Sequence, residues 1–247
     1  MADLEPMHFD GMAGDYTAAR PPYPADLWRD VFATGVVAPG RRALDLGAGS
    51  GQATGELLAR GMNVVAVEPG PHLADALAKR YPRATVIQSR AEDILPDAGS
   101  FELAVAATSI HWMDLDVVLP IVHRALTTSG RLLVWRNVFG DAAADVTPSR
   151  REVERIVQSR DAARSGDPED LGATVRKLVH TGLFTIDETH RYRWTIEMTT
   201  DQVRELFGTF SDWTDDEAEE ASLVVAALGG TVSEAYTSWL ITASPAF

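Results

Sequence analysis

Asp45 and the glycines Gly47, Gly49 and Gly51 stand at alternate positions in Arg42-Ala43-Leu44-Asp45-Leu46-Gly47-Ala48-Gly49-Ser50-Gly51-Gln52. The stretch reads as a short buried strand that ends in an acid and breaks into a glycine turn. Without Cβ atoms, such a turn lets backbone N–H groups approach a ligand closely. The helix that follows brings its positive end to the same place, and Gly61 closes it. Glu68 ends the next apolar run, Val64-Val65-Ala66-Val67, about 20 residues past the glycines, where a ribose-binding acid is expected. The spacing is G-x-G-x-G after an acid, not the G-x-G-x-x-G of dinucleotide sites. Strand, glycine turn, helix, strand and terminal acid in this order point to a nucleoside-bearing ligand rather than to glycines that serve packing alone.

Leu44-Asp45-Leu46-Gly47-Ala48-Gly49-Ser50-Gly51 resembles the signature of class I methyltransferases that use S-adenosylmethionine. Three further segments agree, in order. Tyr16-Thr17-Ala18-Ala19-Arg20-Pro21-Pro22-Tyr23-Pro24 resembles the Y-x-x-x-R-P-x-Y-P segment of the small-molecule branch related to trans-aconitate methyltransferases. Ala91-Glu92 follows a third apolar run, Ala84 to Ile87, as the family's adenine-contacting element does. His111-Trp112 follows a fourth run, Leu103 to Ala107, and matches the family's HW segment. The resemblance covers residues 9–137 well and the remainder in outline, and the combination is far more specific than any one part.

The resemblance implies S-adenosylmethionine as cofactor and gives roles to particular residues. Gly47, Gly49 and Gly51, with Ala48 among them, shape the turn around the methionyl and ribose parts. Asp45 orients that turn or accepts from the methionine ammonium, directly or through water. Glu68, followed by Pro69, accepts both ribose hydroxyls, as carboxylate geometry permits. Glu92 or the Ala91 backbone reads the adenine edge, and the Ala107 backbone meets the methionyl group. Residues 1–23 become a lid, with Arg20 or Tyr16 reaching the methionine carboxylate, a group that an Arg fork suits. The plainer reading of that arm is a stiff polyproline-like strap.

On the acceptor side, His111 sits at a strand's C-terminal end, where doubly wound sheets put their ligands. As neutral imidazole it could accept a proton from a hydroxyl or amine acceptor. A pocket-wall role for His111 and Trp112 carries more weight, because true bases are scarce among pocket residues. Trp112, Arg136, Asn137 and Trp213 are expected to contact the acceptor. Arg136 suits an anionic acceptor such as a carboxylate, which needs no base.

These residues need a scaffold, and the pattern supplies one. Four short apolar runs alternate with helical segments, the sign of a parallel sheet covered on both sides. A helix is expected from about Ala25 to Thr34, another after Pro69-Gly70-Pro71, and another from about Asp114 to Leu126, ended by Thr127-Thr128-Ser129-Gly130. A fifth strand follows over Arg131 to Val138. Beyond Phe139 the spacing predicts a linker to Ser149, a charged helix over Arg150 to Arg164, a long strand over Leu183 to Met198, helical residues 199–231 and a last strand over Tyr236 to Ala243. The expected fold is α/β: a doubly wound, mostly parallel seven-stranded sheet with helical cap insertions. It makes one methyltransferase domain over 1–247, with a lid arm at 1–23, a cofactor-binding core at 24–138, and substrate-side insertions at about 139–180 and 199–231.

Composition narrows the partners. The net charge is −14, and the acids Asp212, Asp215, Asp216, Glu217, Glu219 and Glu220 form a cluster that reads as a solvated helix start. Nucleic-acid substrates would ask for a basic stripe instead, so the expected partner is a small-molecule acceptor. With 45% hydrophobic and 23% charged residues the chain is ordinary for a globular protein. It has no apolar run of membrane-spanning length and no secretory pattern at the N-terminus, which makes a cytoplasmic location the expectation. The absence of cysteine excludes disulfides and thiolate metal sites, and no metal is expected. These features together predict methyl transfer from S-adenosylmethionine to a small molecule, most readily at oxygen. Two other readings remain: a macromolecule-directed methyltransferase, which the charge disfavours, and a cofactor-binding protein without transfer or with another reaction.

Overall fold

The computed structural model describes residues 19–160, 171–210 and 212–246. Its strands are β1 (Arg42–Leu46), β2 (Asn63–Glu68), β3 (Thr85–Gln88), β4 (Phe101–Ala107), β5 (Leu126–Phe139), β6 (Phe184–Thr199) and β7 (Thr231–Pro245). They form one mixed seven-stranded sheet in the order β3-β2-β1-β4-β5-β7-β6. The first five strands pair in parallel, with Asp45 of β1 opposite both Ala66 of β2 and Val105 of β4. From β1 the chain winds outward to β2 and β3, then crosses back to place β4 on the other side of β1. The reversal leaves a crevice beyond the carboxyl ends of β1 and β4, which is where open α/β sheets bind ligands.

Burial explains the strand sequences. All of Ala43–Leu46 is buried, as are Leu103–Ala106 in β4, so these strands read as near-continuous apolar runs. The helix α1 (Ala25–Ala33) contributes Leu27 and Val31, and α2 (Gln52–Ala59) contributes Ala53, Leu57 and Leu58, to a core shared with Val64, Leu103 and Trp135. The helix α3 (Pro71–Arg80) starts with proline at its first position, and α4 (Leu115–Ala125) is capped by the Asp114 carboxylate on the Asp116 amide, at 3.1 Å.

One expected boundary moves. Thr127–Gly130 is not a turn between a helix and a strand starting at Arg131, because β5 already begins at Leu126. Phe101 pairs with Leu126 and Leu103 with Arg131, so the extra residues form an irregularity in the ladder rather than a separate turn. The last strand likewise starts at Thr231, ahead of Tyr236.

The chain divides into two compact units. Among the described residues, the first comprises 23–137, 171–192 and 238–246; the second comprises 19–22, 138–160, 193–210 and 212–237. Residues 171–180, which the sequence pattern groups with the cap, belong to the first unit, where α6 (Leu171–His180) buries Leu178. The second unit holds α5 (Pro148–Gln158), α7 (Thr200–Gly208) and α8 (Asp215–Ala227) around Val153, Ile156, Leu206, Phe207 and Val225. Thr199 with Gln202 and Thr214 with Glu217 form capping boxes, and Asp215, Asp216 and Glu217 of the acidic cluster lie in the first turn of α8. Within this unit Ser149 donates to the buried Glu234 carboxylate at 2.9 Å, and Arg160 bridges Asp212 (2.8 Å) and Glu217 (2.9 Å).

Candidate cofactor site in the first unit

The glycine turn leaves β1 with φ positive at Gly47 (65°), Gly49 (55°) and Gly51 (82°), values that a Cβ opposes. The three have different reasons to be glycine. A Cβ on Gly47 would lie 2.6 Å from Ser109 Cβ, and one on Gly51 would meet the Leu77 and Tyr81 side chains. A Cβ on Gly49 would meet nothing within 4 Å. Packing therefore accounts for Gly47 and Gly51. Gly49 borders open space.

Glu68 fastens this turn to the end of β2. Its Oε2 accepts from the Gly49 amide at 2.8 Å and its Oε1 from the Gly70 amide, across Pro69, at 2.9 Å. Ala48 donates to Val67 O at 3.0 Å, which ties the turn to the same strand.

Beneath the turn, Asp45 is wholly buried. Its Oδ2 accepts from the Thr54 hydroxyl at 2.6 Å, while its Oδ1 has no hydrogen-bond partner among the described residues. Burial pushes the Asp45 carboxyl up to about 6, the Thr54 hydroxyl pulls it back, and the Glu68 charge adds to the rise.

The other strand ends complete the row. After β3, Ala91–Asp93 form a short 3-10 helix with Ala91 buried. The Glu92 carboxylate accepts from the Asp114 amide at 2.9 Å and faces Arg90 at 3.3 Å. Burial raises the Glu92 carboxyl, but these partners outweigh it and hold the group below its ordinary value. After Ala107 at the end of β4, Thr108 has φ 59°, costly for a β-branched residue by about 1–3 kcal/mol. Its amide donates to Trp135 O at 2.8 Å, and its hydroxyl is 2.9 Å from the Tyr23 phenol. Ser109 donates to Leu46 O at 2.6 Å and pins this loop against β1.

His111 and Trp112 lie in the next 3-10 helix (Ile110–Trp112), their rings 4.8 Å apart and tilted. Of the other expected acceptor residues, Arg136 and Asn137 are on β5, and Asn137 Oδ1 accepts from Ser238 at 2.6 Å. Trp213 belongs to the second unit, its ring 4.0 Å from that of Phe207. Arg20 is in the second unit too, donating to Thr209 O at 2.8 Å beneath the Phe210 ring. Tyr16 lies outside the described residues.

The first unit thus brings together Asp45, Gly47, Ala48, Gly49, Gly51, Glu68, Pro69, Ala91, Glu92, Ala107, His111 and Trp112 at the carboxyl ends of β1 to β4. Sequence reasoning missed Thr54, Thr108 and Ser109, and it quoted Tyr23 without giving it a role. Thr54 and Thr108 carry no local signal, since one acts through burial and the other through a backbone angle.

An α/β sheet whose first strand ends in a glycine turn, with the acid at the end of β2 fixed to that turn, is the arrangement in which such sheets take nucleoside-bearing ligands. The comparisons carry this further. Residues 44–134 match the model of the methyltransferase domain family. An uncharacterised methyltransferase of Mycobacterium tuberculosis (strain H37Rv) is 33% identical over 208 residues, covering 83% of this chain and 77% of that one. An uncharacterised methyltransferase-like protein of Schizosaccharomyces pombe is 28% identical over 145 residues, 58% of this chain and 55% of that one. Among solved structures, one from Anaeromyxobacter dehalogenans described as a type II methyltransferase superposes with a TM-score of 0.64 at 27% identity, over 92% of this chain and 97% of that one. The fold is also that of a Haemonchus contortus N-methyltransferase in complex with S-adenosylhomocysteine, with a TM-score of 0.58 at 16% identity over 96% of this chain and 58% of that one. The chain belongs to the class I S-adenosylmethionine-dependent methyltransferases and is a methyltransferase.

Proposed function

We propose that the protein transfers the methyl group of S-adenosylmethionine to an oxygen of a small-molecule acceptor, as in the trans-aconitate-like branch. The observation that carries the cofactor half is the Gly49–Glu68 hydrogen bond, which fixes a carboxylate at the end of β2 beside a turn whose middle glycine borders open space. The acceptor half is supported by the net charge of −14, which opposes a polyanionic substrate.

When bound, S-adenosylmethionine supplies an electrophilic methyl carbon on a sulfonium. The chain's task would be to hold that carbon and an oxygen nucleophile in a fixed mutual position and to keep water away from them. Glu68 binds the ribose hydroxyls, the Ala91 backbone with Glu92 reads the adenine edge, and the glycine turn shapes the methionyl end. His111 and Trp112 wall the acceptor pocket, and Arg136 pairs with a carboxylate, already a nucleophile at neutral pH. A hydroxyl acceptor would also require a proton to leave, for which His111 is the nearest candidate.

Calorimetry with S-adenosylmethionine, followed by transfer of its labelled methyl to fractions of a metabolite extract, tests this. Saturable binding and label in a small acidic or hydroxylated product are expected. No binding overturns the cofactor assignment; label only in RNA or protein overturns the acceptor class.

A further inference from the structure

The second unit holds two opposite charges that lie close together and do not pair. Glu234 on β7 is 4% exposed, and its carboxylate accepts from the Ser149 hydroxyl at 2.9 Å. Arg150 follows Ser149 on α5, near enough for its charge to pull the Glu234 carboxyl down. Its ion-pair partner is nevertheless Glu154, at 3.6 Å from Nε. Arg150 Nη1 is buried and has no hydrogen-bond partner among the described residues.

The seating of the guanidinium keeps the two charges apart. Its Cζ lies 4.6 Å from the centre of the Phe139 ring, a cation–π contact. Gly140 comes next along the chain with φ 94°, and a Cβ there would stand 2.6 Å from Nη2 and 2.9 Å from Cζ. Glycine at this position is what lets the guanidinium lie against the strand end. Phe139 is braced in turn by the Tyr236 ring, edge-on at 5.4 Å. The Arg150 side chain as a whole is 29% exposed, which leaves an approach from solvent.

Charges removed from water are ordinarily paired or fully hydrogen-bonded, and a donor left without an acceptor is costly. A cation and an anion held side by side, each short of a partner, complement a molecule that carries both signs. A guanidinium is shaped for a carboxylate, and a carboxylate accepts readily from an ammonium. The Phe139 ring between them offers an apolar surface for a carbon body. We propose that Arg150 and Glu234 form a binding site for a small zwitterion, an amino acid in chemical class, with its carboxylate on Arg150 Nη1 and its ammonium on Glu234. None of the residues assigned to the cofactor belongs to this site.

The test uses L-leucine and two analogues that each keep one of its charges, 4-methylpentanoate and 3-methylbutylamine. Each is titrated calorimetrically at pH 8, without S-adenosylmethionine, into the wild type, Arg150→Met, Glu234→Gln and Arg155→Met. Leucine should bind the wild type at least about tenfold more tightly than either analogue. Arg150→Met should weaken leucine and 4-methylpentanoate by about tenfold, and 3-methylbutylamine by less than twofold. Glu234→Gln should weaken leucine and 3-methylbutylamine by about fivefold or more, and 4-methylpentanoate by less than twofold. Arg155→Met, on the same helix, should bind all three as the wild type does. A wild type that does not bind leucine, or that binds 4-methylpentanoate as tightly, overturns the proposal whether or not the variants fold. Equal weakening of both analogues in either variant marks a structural role and overturns it too. Because the titrations contain no S-adenosylmethionine, their failure leaves the cofactor assignment standing, and failure of that assignment leaves this site standing.

Discussion

The Thr54 hydroxyl lies 2.6 Å from Asp45 Oδ2, and both residues are completely buried. A carboxylate at the end of the central strand is thereby held beneath the cofactor turn by neutral donors of one residue of the following helix, the Thr54 hydroxyl and its backbone amide. Its other oxygen has no partner among the described residues, so the charged form is poorly compensated.

That relationship sets a pH dependence. Burial first, then the Glu68 charge, raise the Asp45 carboxyl from 3.8 to about 6, with Thr54 opposing. The folded state binds the proton more tightly than the unfolded chain. The stability this group gives is therefore full below its unfolded value and is lost as pH rises through about 6. Relative to Asp45→Asn, the wild type should lose about 3 kcal/mol between about pH 4 and about pH 7, an order-of-magnitude figure. Urea unfolding of both proteins across that range measures the difference, and a gap independent of pH would contradict the assignment.

Gly49→Ala and Gly47→Ala should separate packing from ligand approach. The new methyl at position 49 meets nothing, so the variant should lose only the backbone cost of about 1–2 kcal/mol. The same methyl occupies the space of the ligand and should weaken S-adenosylmethionine at least tenfold. Gly47→Ala also collides with Ser109, so it should lose more stability than Gly49→Ala. Equal affinity in wild type and Gly49→Ala would show that the cofactor does not reach this turn.

Glu68→Ala should damage both fold and affinity, because it leaves the Gly49 and Gly70 amides without their acceptor, at about 1–3 kcal/mol each if they stay buried. Glu68→Gln retains one acceptor oxygen and should recover part of the stability. Its affinity for S-adenosylmethionine should stay reduced, since the amide NH2 can only donate and one oxygen must then serve in place of two. Thermal unfolding with and without ligand distinguishes the two effects, and full affinity in Glu68→Gln refutes the ribose role.

Replacing His111 by Asn should keep most turnover with the acceptor found in the label-transfer experiment and mainly raise its Michaelis constant, as a wall residue does. A general base would instead cost roughly 10²–10⁴ in turnover, with activity falling at low pH as the imidazole protonates. A turnover loss of that size, with unchanged cofactor affinity, would establish His111 as the base.

In the second unit, Ser149→Ala should cost about 1–3 kcal/mol by stripping the buried Glu234 carboxylate of a donor. Burial raises the Glu234 carboxyl, and the Ser149 hydroxyl and Arg150 charge pull it down. Removing the hydroxyl raises it further, so the penalty should be larger at alkaline than at acidic pH. Denaturation of both proteins at two pH values reads this directly.

The cofactor half of the site was legible in the sequence because its signals are local. A buried strand must be apolar, a turn with positive φ and close neighbours must be glycine, and an acid at a strand end is visible as a charge closing an apolar run. Gly47, Gly49, Gly51 and Glu68 follow from those rules, as do most strand positions. The sequence did not show that Glu68 binds the turn's own Gly49 amide, since nineteen residues separate them and only the β1–β2 pairing closes the gap. Nor did it reveal the shift at Thr127–Gly130, where a turn-like composition is absorbed into a strand by its ladder with β4. Thr54, Thr108 and Tyr23 gain their meaning from partners 9 and 85 residues away. Residue types along the chain fix which groups can do chemistry; the crossover that sets β4 beside β1 decides which of them meet.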